Sequence, residues 1–298
     1  SRNQRREPAD CSNALPDPLS LEKSLEQSLQ QSLQQDSEAG PTFWAVSVST
    51  KEQLEVVLRT EKAARIDIET ECFSLKETAD ALNRIRSTGK KGYLSLPRIF
   101  RRNMEKELLD YLNLQADGYV VRTLDELEFL HHHVPEAPVT CDYSVYAYNR
   151  EAVAVYGQWN RKGSLTLPVE LNKKELQDLL QSTRGNFWEW IVYGRQPVML
   201  STQCTVKNTD ACRKSSGYTV LKNGFQDEFL VHRICKYCYN VIYQKQPVCL
   251  FSVLDECKTD SMIYRIMLTT ESGEETREIL SPHGTVTGST GHYKKGIE

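Results

Sequence analysis

The chain has 298 residues, of which 39% are hydrophobic and 26% charged, with a formal net charge of −3 at pH 7. That is enough apolar material for one large α/β domain or two ordinary ones. The charge excludes long-range attraction to a polyanion, so a nucleic-acid contact would need a local basic patch.

No charged-then-apolar leader and no membrane-length apolar run is present, and the first residue is Ser1, so a cytoplasmic, non-membrane chain cut from something longer is expected. Residues 1–40 are charged and then Gln/Ser-rich. Within them "LEKSLEQSLQQSLQQ" places Leu21, Leu25, Leu29 and Leu33 on a narrow stripe. This predicts a linker helix docked on a neighbouring surface; the spacing and short length disfavour a coiled coil.

From Phe43 to about Leu200 short apolar runs alternate with amphipathic helical stretches. The runs are "FWAVSVS", "RIDIE", "GYLSLP", "GYVVR", "PVTCDYSVYAYN", "SLTLPVEL" and "FWEWIVYGRQPVML". Among the helices, "SLKETADALNRIRSTG" opens on an N-cap at Ser74, has Glu77 three residues later and closes at Gly89. Alternating strands and helices mean a parallel sheet. Seven such strands, with an eighth at "MIYRIML" (Met262 to Leu268), favour an α/β fold of the (β/α)8 TIM-like barrel type, complete or lacking a strand, with a cysteine-rich insertion over 201–261 after strand seven. An open doubly wound sheet has no glycine-rich phosphate fingerprint to support it. Residues 41–298 are thus expected to form one barrel-like domain.

Several strands finish in polar residues: Asp67 and Glu69, Arg122, Asp142 and Tyr143, Glu170 and Asn172, Tyr193 and Arg195. One at a time these read as caps or ion-pair partners, but in a barrel the C-terminal strand ends converge on one pocket. Glu170, Tyr193 and Arg195 are therefore assigned to catalysis, and Arg122, Asp142, Asn172 and Arg265 to substrate binding. Arg195 and Arg265 suit bidentate grips on a carboxylate or phosphate.

Six of the nine cysteines lie between Cys204 and Cys257. Cys204, Cys212, Cys235 and Cys238 give C-x7-C-x22-C-x2-C, a set of four thiols that satisfies a tetrahedral zinc or a 4Fe-4S cluster. The wide first pair suits a cluster better than a zinc ribbon, and unligated or redox thiols remain a third reading. Cys249 and Cys257 are spare thiols, and Cys11, Cys72 and Cys141 isolated ones.

The run "VYGRQPVMLSTQC", a second cysteine, "CKYCYNVIYQKQP" and the terminal "TGHYKKGIE" resembles the C-terminal half of the bacterial collagenase-like peptidase family, the thirty-second of the families without an assigned catalytic type. "IDIETECFSLKETADALNRIRSTGKKGYLSLPRIFR" and "LTLPVELNKKELQDL" match the same pattern, so the resemblance spans roughly Phe43 to Glu298 and points to the long members with an inserted collagenase-like domain. It implies collagenase-like peptidase activity in some members. In others it implies RNA-base hydroxylation, as in a ribosomal RNA 5-hydroxycytidine synthase or a transfer-RNA uridine hydroxylase, or else oxygen-independent hydroxylation in ubiquinone synthesis, with a 4Fe-4S cluster on four cysteines. Those ligands carry over to Cys204, Cys212, Cys235 and Cys238, and the "GHY" motif adds His292 to the catalytic candidates. The chain departs from the family at Asn223 and Gly224, where an Asp-Arg pair is usual.

No HExxH and no G-x-S-x-G is present, and no cysteine has an obvious histidine partner, which weakens a peptidase. His131, His132 and His133 read as a solvated turn, and His232 as a surface residue or a hydrogen-bond donor to a cluster sulfur. Basic runs at "RSTGKKGY", "RIFRRNMEK" and "YKKG", with Tyr93, Phe100 and Tyr293 for stacking, are the candidate RNA contacts. The expected function is a part in hydroxylation of an RNA base, ribosomal or transfer, together with the N-terminal half of the same longer protein. The alternatives are a collagenase-like peptidase and a binding module with a structural metal site.

Overall fold

The computed structural model describes residues 43–159, 162–183, 185–204, 206, 214–257, 259, 262–281 and 286–296. The leucine stripe at 21–33, Cys11 and the candidate ligand Cys212 lie outside them. Eight parallel strands close a barrel: β1 (Phe43–Val48), β2 (Ala63–Glu69), β3 (Lys91–Ser95), β4 (Gly118–Val121), β5 (Val139–Cys141), β6 (Ser164–Thr166), β7 (Trp188–Gly194) and β13 (Met262–Met267). Closure runs through Leu165 beside Trp188 on one side and Ala45 beside Arg265 on the other.

The helices α1 (Lys51–Leu58), α2 (Leu75–Ser87), α3 (Glu105–Leu112), α4 (Leu124–His133), α5 (Arg150–Trp159), α6 (Lys173–Ser182) and α7 (Gly273–Leu280) follow the strands. Five of them open on capping boxes, at Thr50, Ser74, Thr123, Asn172 and Ser272. Each box satisfies otherwise orphaned backbone N–H groups and fixes where the strand-to-helix loop ends. The expected start of α2 at Ser74 and Glu77 is borne out, and Gly89 follows with φ 74°.

Alternation along each strand sends one set of side chains outward to the helices and the other into the barrel. Ile66 and Ile68 belong to the apolar layer with Leu82 and Ile85. Inside, Tyr93 fills so much space that a Cβ on Gly118 would meet its ring at 2.4 Å, which is why a glycine begins β4.

Two predicted runs are shorter or split. "PVTCDYSVYAYN" is a strand only over Val139–Cys141 and then turns through a 3-10 segment at Tyr143–Val145. "FWEWIVYGRQPVML" breaks at Gly194, whose φ of 146° turns the chain out of the barrel. The second part becomes β8 (Pro197–Ser201), which joins β9 (Gly217–Lys222), β10 (Glu228–Ile234) and β11 (Tyr239–Gln244) in an antiparallel sheet ordered β8-β11-β10-β9. A short β12 (Val248–Cys249) then pairs back on β7. Ile234, Tyr237, Tyr239, Val241 and Tyr243 pack on Met104 and Ile99 from the loop after β3, so this sheet roofs part of the barrel's C-terminal mouth. Among the described residues no helix is long and apolar enough to cross a membrane.

Candidate functional site

Arg65, Asp67 and Glu69 sit two residues apart on β2, and Arg65 and Asp67 point into the barrel, where they begin a ladder of buried charges. Arg65 reaches Asp67 at 2.8 Å and Glu189 at 2.6 Å. Glu189 also accepts from Thr140 at 2.7 Å and Ser164 at 2.6 Å, and faces Arg265 at 3.4 Å. Arg265 continues to Asp142, Asp142 to Arg122 at 3.5 Å, and Arg122 to Glu69 at 2.8 Å. Arg98 closes the series, 3.7 Å from Glu69 and 3.0 Å from Glu71, and Glu71 accepts a hydrogen bond from the Tyr239 hydroxyl of the roof.

Burial alone would push the Asp67, Asp142 and Glu189 carboxyls up, but the guanidinium charges override it at the last two. Arg65 brings Glu189 down to about 2, and Arg265 with Arg122 holds Asp142 below the usual carboxylate range. At Asp67 burial prevails and the carboxyl is raised. Charges survive in so dry a site only when each has a close opposite partner. Arg122, Asp142 and Arg265 are thus brought together, engaged chiefly with one another and with the carboxylates of Glu69 and Glu189.

Around Arg98, where the roof meets the ladder, stand Tyr143, Tyr218, Tyr243, His232 and Cys72, all within electrostatic reach of its charge. Tyr218 stacks on His232 with ring centroids 4.2 Å apart, and Arg98 lies over the Tyr243 ring at 5.9 Å. Burial and the Arg98 charge push His232 down to about 4, so the imidazole is neutral at pH 7. Burial, Glu69 and Glu71 push the Cys72 thiol up to about 12. Tyr143 therefore joins the mouth, and Cys72 is no longer an isolated thiol.

The remaining candidates form two smaller groups. Tyr193 and Arg195, at the end of β7, both meet Glu271: the tyrosine hydroxyl at 3.3 Å, the arginine as an ion pair. A bulge places Tyr193 here, since Arg265 is opposite Ile191 while Ile266 is opposite Tyr193. Asn172 and His292 meet at the C-terminal turn, where a Cβ on Gly296 would come within 3.2 Å of the Asn172 amide. The Asn172 side chain caps α6 by accepting from Glu175 N at 3.1 Å, and His292 Nδ1 is 3.0 Å from Gly296 O in the terminal turn. Glu170 lies nearby against the Tyr148 hydroxyl.

Of the proposed RNA-stacking rings, Tyr93 lies under Arg65 inside the barrel at 4.6 Å, Phe100 packs on Phe129 at 5.7 Å, and Tyr293 is buried with its hydroxyl 2.8 Å from Glu256. His132 and His133 face Glu128 at 3.2 Å and Phe129 O at 2.8 Å within the last turns of α4.

Cys235 and Cys238 occupy the turn between β10 and β11, where Ile234 opposes Tyr239. Cys238 has φ 53°, and Tyr237 N bonds Ile234 O at 3.2 Å. Cys204 follows β8, whose last residue Ser201 opposes Asn240, and the Asn240 amide donates to Gln203 O at 2.8 Å. Three of the four candidate ligands therefore lie at one end of one sheet, and none of the described cysteines is in a disulfide. Among the described residues no three His, Cys, Asp or Glu side chains are gathered to metal-binding distance. The all-sulfur donor set and the common sheet end fit a thiolate-bound metal or cluster.

The residues missed from sequence are Arg65, Glu71, Arg98, Glu189, Tyr218, Tyr243 and Glu271. Their signal was present in part: a charged residue inside a strand buried on both faces, as in "WEW" or "RID", must have a partner across the barrel.

The profile of Peptidase family U32 matches residues 51–219. The solved structure of the U32 peptidase Mk0906 is similar over 78% of this chain and 94% of its own, with 11% identity and a TM-score of 0.51. An uncharacterized B. cereus protein is similar over 82% of this chain and 66% of its own, with 10% identity and a TM-score of 0.43. For thiamine phosphate pyrophosphorylase from Pyrococcus furiosus the coverage is 50% and 74%, with 11% identity and a TM-score of 0.37. No curated protein matches.

Proposed function

The chain belongs to peptidase family U32, and on that premise we propose that it is the barrel unit of an iron–sulfur enzyme that takes part in hydroxylating an RNA base. The observation that carries this reading is the placement of Cys204, Cys235 and Cys238 at one end of the sheet that roofs the barrel mouth. With Cys212 they would hold a 4Fe-4S cluster, which supplies one-electron chemistry.

The chain's own residues do the rest. The roof shields the mouth from water, and the paired carboxylates and guanidiniums inside the barrel give it fixed dipoles that need no reorganisation during reaction. Arg195, held by Glu271, and the phenols of Tyr143, Tyr218 and Tyr243 supply hydrogen-bond donors toward a bound base.

Purification without oxygen, with iron, sulfide and zinc quantified for wild type and Cys238→Ala, tests the cofactor. About four irons and four sulfides per chain with a broad charge-transfer band, lost in the variant, support the reading. One zinc and no sulfide turns the four cysteines into a structural site and removes the redox chemistry.

Family membership keeps a collagenase-like peptidase as the second reading. The mouth does not favour thiol catalysis: Cys72 is pushed up to about 12, where a nucleophile needs a thiolate, and His232 down to about 4, too weak a base to make one. Gelatin hydrolysis that Cys72→Ser abolishes would reverse this ranking.

A further inference from the structure

The turn after β5 holds an exposed aromatic ring on a backbone that disfavours it. After the 3-10 segment at Tyr143–Val145, Tyr146 adopts φ 61° and ψ 50°. That left-handed region suits glycine and crowds any Cβ. The conformation is fastened on every side: Tyr146 N bonds Tyr143 O at 3.0 Å, Tyr148 N bonds Tyr146 O at 2.9 Å, Ser144 Oγ donates to Arg122 O at 2.8 Å, and the Tyr156 hydroxyl donates to Val145 O at 2.5 Å. What this locked turn presents is a tyrosine side chain on a residue left 64% exposed.

Tyr146 does not stand alone. It stacks on Tyr148 with centroids 5.8 Å apart and planes 20° from parallel, and the Tyr148 hydroxyl lies against Glu170 from the next loop. Glu170 Oε2 is buried and has no hydrogen-bond partner among the described atoms. Both loops follow neighbouring strands, β5 and β6, at the C-terminal face where barrels bind their substrates. A buried, unpaired acceptor beside an exposed ring is costly unless something supplies a donor. Strain retained at such a place points to binding.

We infer that Tyr146, stacked on Tyr148 beside Glu170, is a rim subsite that stacks an unpaired base of single-stranded RNA while the Glu170 carboxylate accepts from an N–H group on the base edge. This rests on the RNA reading above and names residues that it did not. A flat ring carrying N–H donors satisfies both halves of the site at once, which a sugar or an aliphatic side chain does not.

The test is fluorescence anisotropy of the full chain with a labelled single strand of about twelve ribonucleotides, and with an abasic strand of the same length. Wild type is expected to prefer the intact strand by about 5- to 150-fold, the range that stacking of one base confers. Tyr146→Ala removes that preference and Tyr146→Phe keeps it. Tyr146→Gly removes it too, yet melts at or above the wild-type temperature because glycine relieves the backbone. Loss of binding without loss of stability is what a purely structural tyrosine would not show.

An unchanged preference in Tyr146→Ala, or equal binding of both strands by wild type, overturns the subsite and leaves the RNA reading standing. Binding of neither strand by wild type overturns both.

Discussion

Inside the barrel, Glu189 is fully buried and meets two arginines, a threonine and a serine; on the roof, the cysteine turn is tied down by Lys236, whose side chain is 28% exposed, reaching Glu107 at 2.6 Å. The first arrangement has no slack, because every partner is fixed by a different barrel strand. The second is a few polar contacts over a small apolar cluster of Met104, Ile234, Tyr237, Tyr239, Val241 and Tyr243. Stability should therefore reside in the barrel and movement in the roof, and the site lies where the two meet.

The largest effect tests the rigid half. Glu189→Ala leaves Arg65 and Arg265 buried with their shared carboxylate gone, which costs about 3–5 kcal/mol. Thermal unfolding should show a drop of about 10 °C. A fall of only a degree or two would mean that water enters the barrel and that the ladder is solvated.

Glu126 provides a pH-dependent contrast. It lies in the capping box of α4, accepts from Arg122 N at 2.7 Å and Thr123 N at 3.1 Å, and burial raises its carboxyl from 4.5 to about 8. Between those values the folded chain keeps a proton that the unfolded chain has lost, so stability falls as pH rises through the window and levels off above it. The change is on the order of 4–5 kcal/mol at full effect. Glu126→Gln should flatten that limb in urea titrations at pH 5 and pH 8; an unchanged slope would assign it to other groups.

How much of this was readable in the chain follows from how local each signal is. Ser74 with Glu77 marked a helix start because a cap is made by neighbours in sequence. The alternation of strands and helices gave the barrel for the same reason. The spacing of Arg65, Asp67 and Glu69 showed a shared face, but their partners Glu189 and Arg122 stand far along the chain, and the strand pattern does not say which charge meets which. The end of β5 was misplaced because Tyr146 is held left-handed by tertiary contacts, and nothing in "DYSVYAYN" announces that. The cysteine spacing pointed to one group of thiols and could not choose the metal, since sulfur donors serve zinc and iron alike.

Tyr239→Phe acts at the seam. It removes the hydroxyl that donates to Glu71, leaving that carboxylate to Arg98, at a cost of about 2 kcal/mol for a hydrogen bond to a charged group. If the roof opens independently, limited proteolysis should cleave within β8–β11 sooner while the melting temperature of the barrel barely moves. Equal loss in both readouts would make roof and barrel one cooperative unit.

The smallest effect in free energy has the most to say about the site. Lys236 stands between Cys235 and Cys238 and points away from them, to Glu107, to the Tyr111 hydroxyl at 2.6 Å and to Thr70 O at 3.4 Å; Tyr237 beside it also reaches Glu107, at 3.0 Å. Partly exposed contacts of this kind contribute about 1 kcal/mol or less, so Lys236→Ala should barely change global unfolding. Locally, the turn loses the anchor that holds Cys238 in its left-handed conformation over α3. Alkylation of Cys235 and Cys238 in the metal-free chain should therefore quicken several-fold, read by mass spectrometry against Cys257, which is buried on the barrel side as an internal reference. If the two turn cysteines and Cys257 respond alike, Lys236 supports the whole fold, and the roof is not the separately mobile part that the contrast with Glu189 implies.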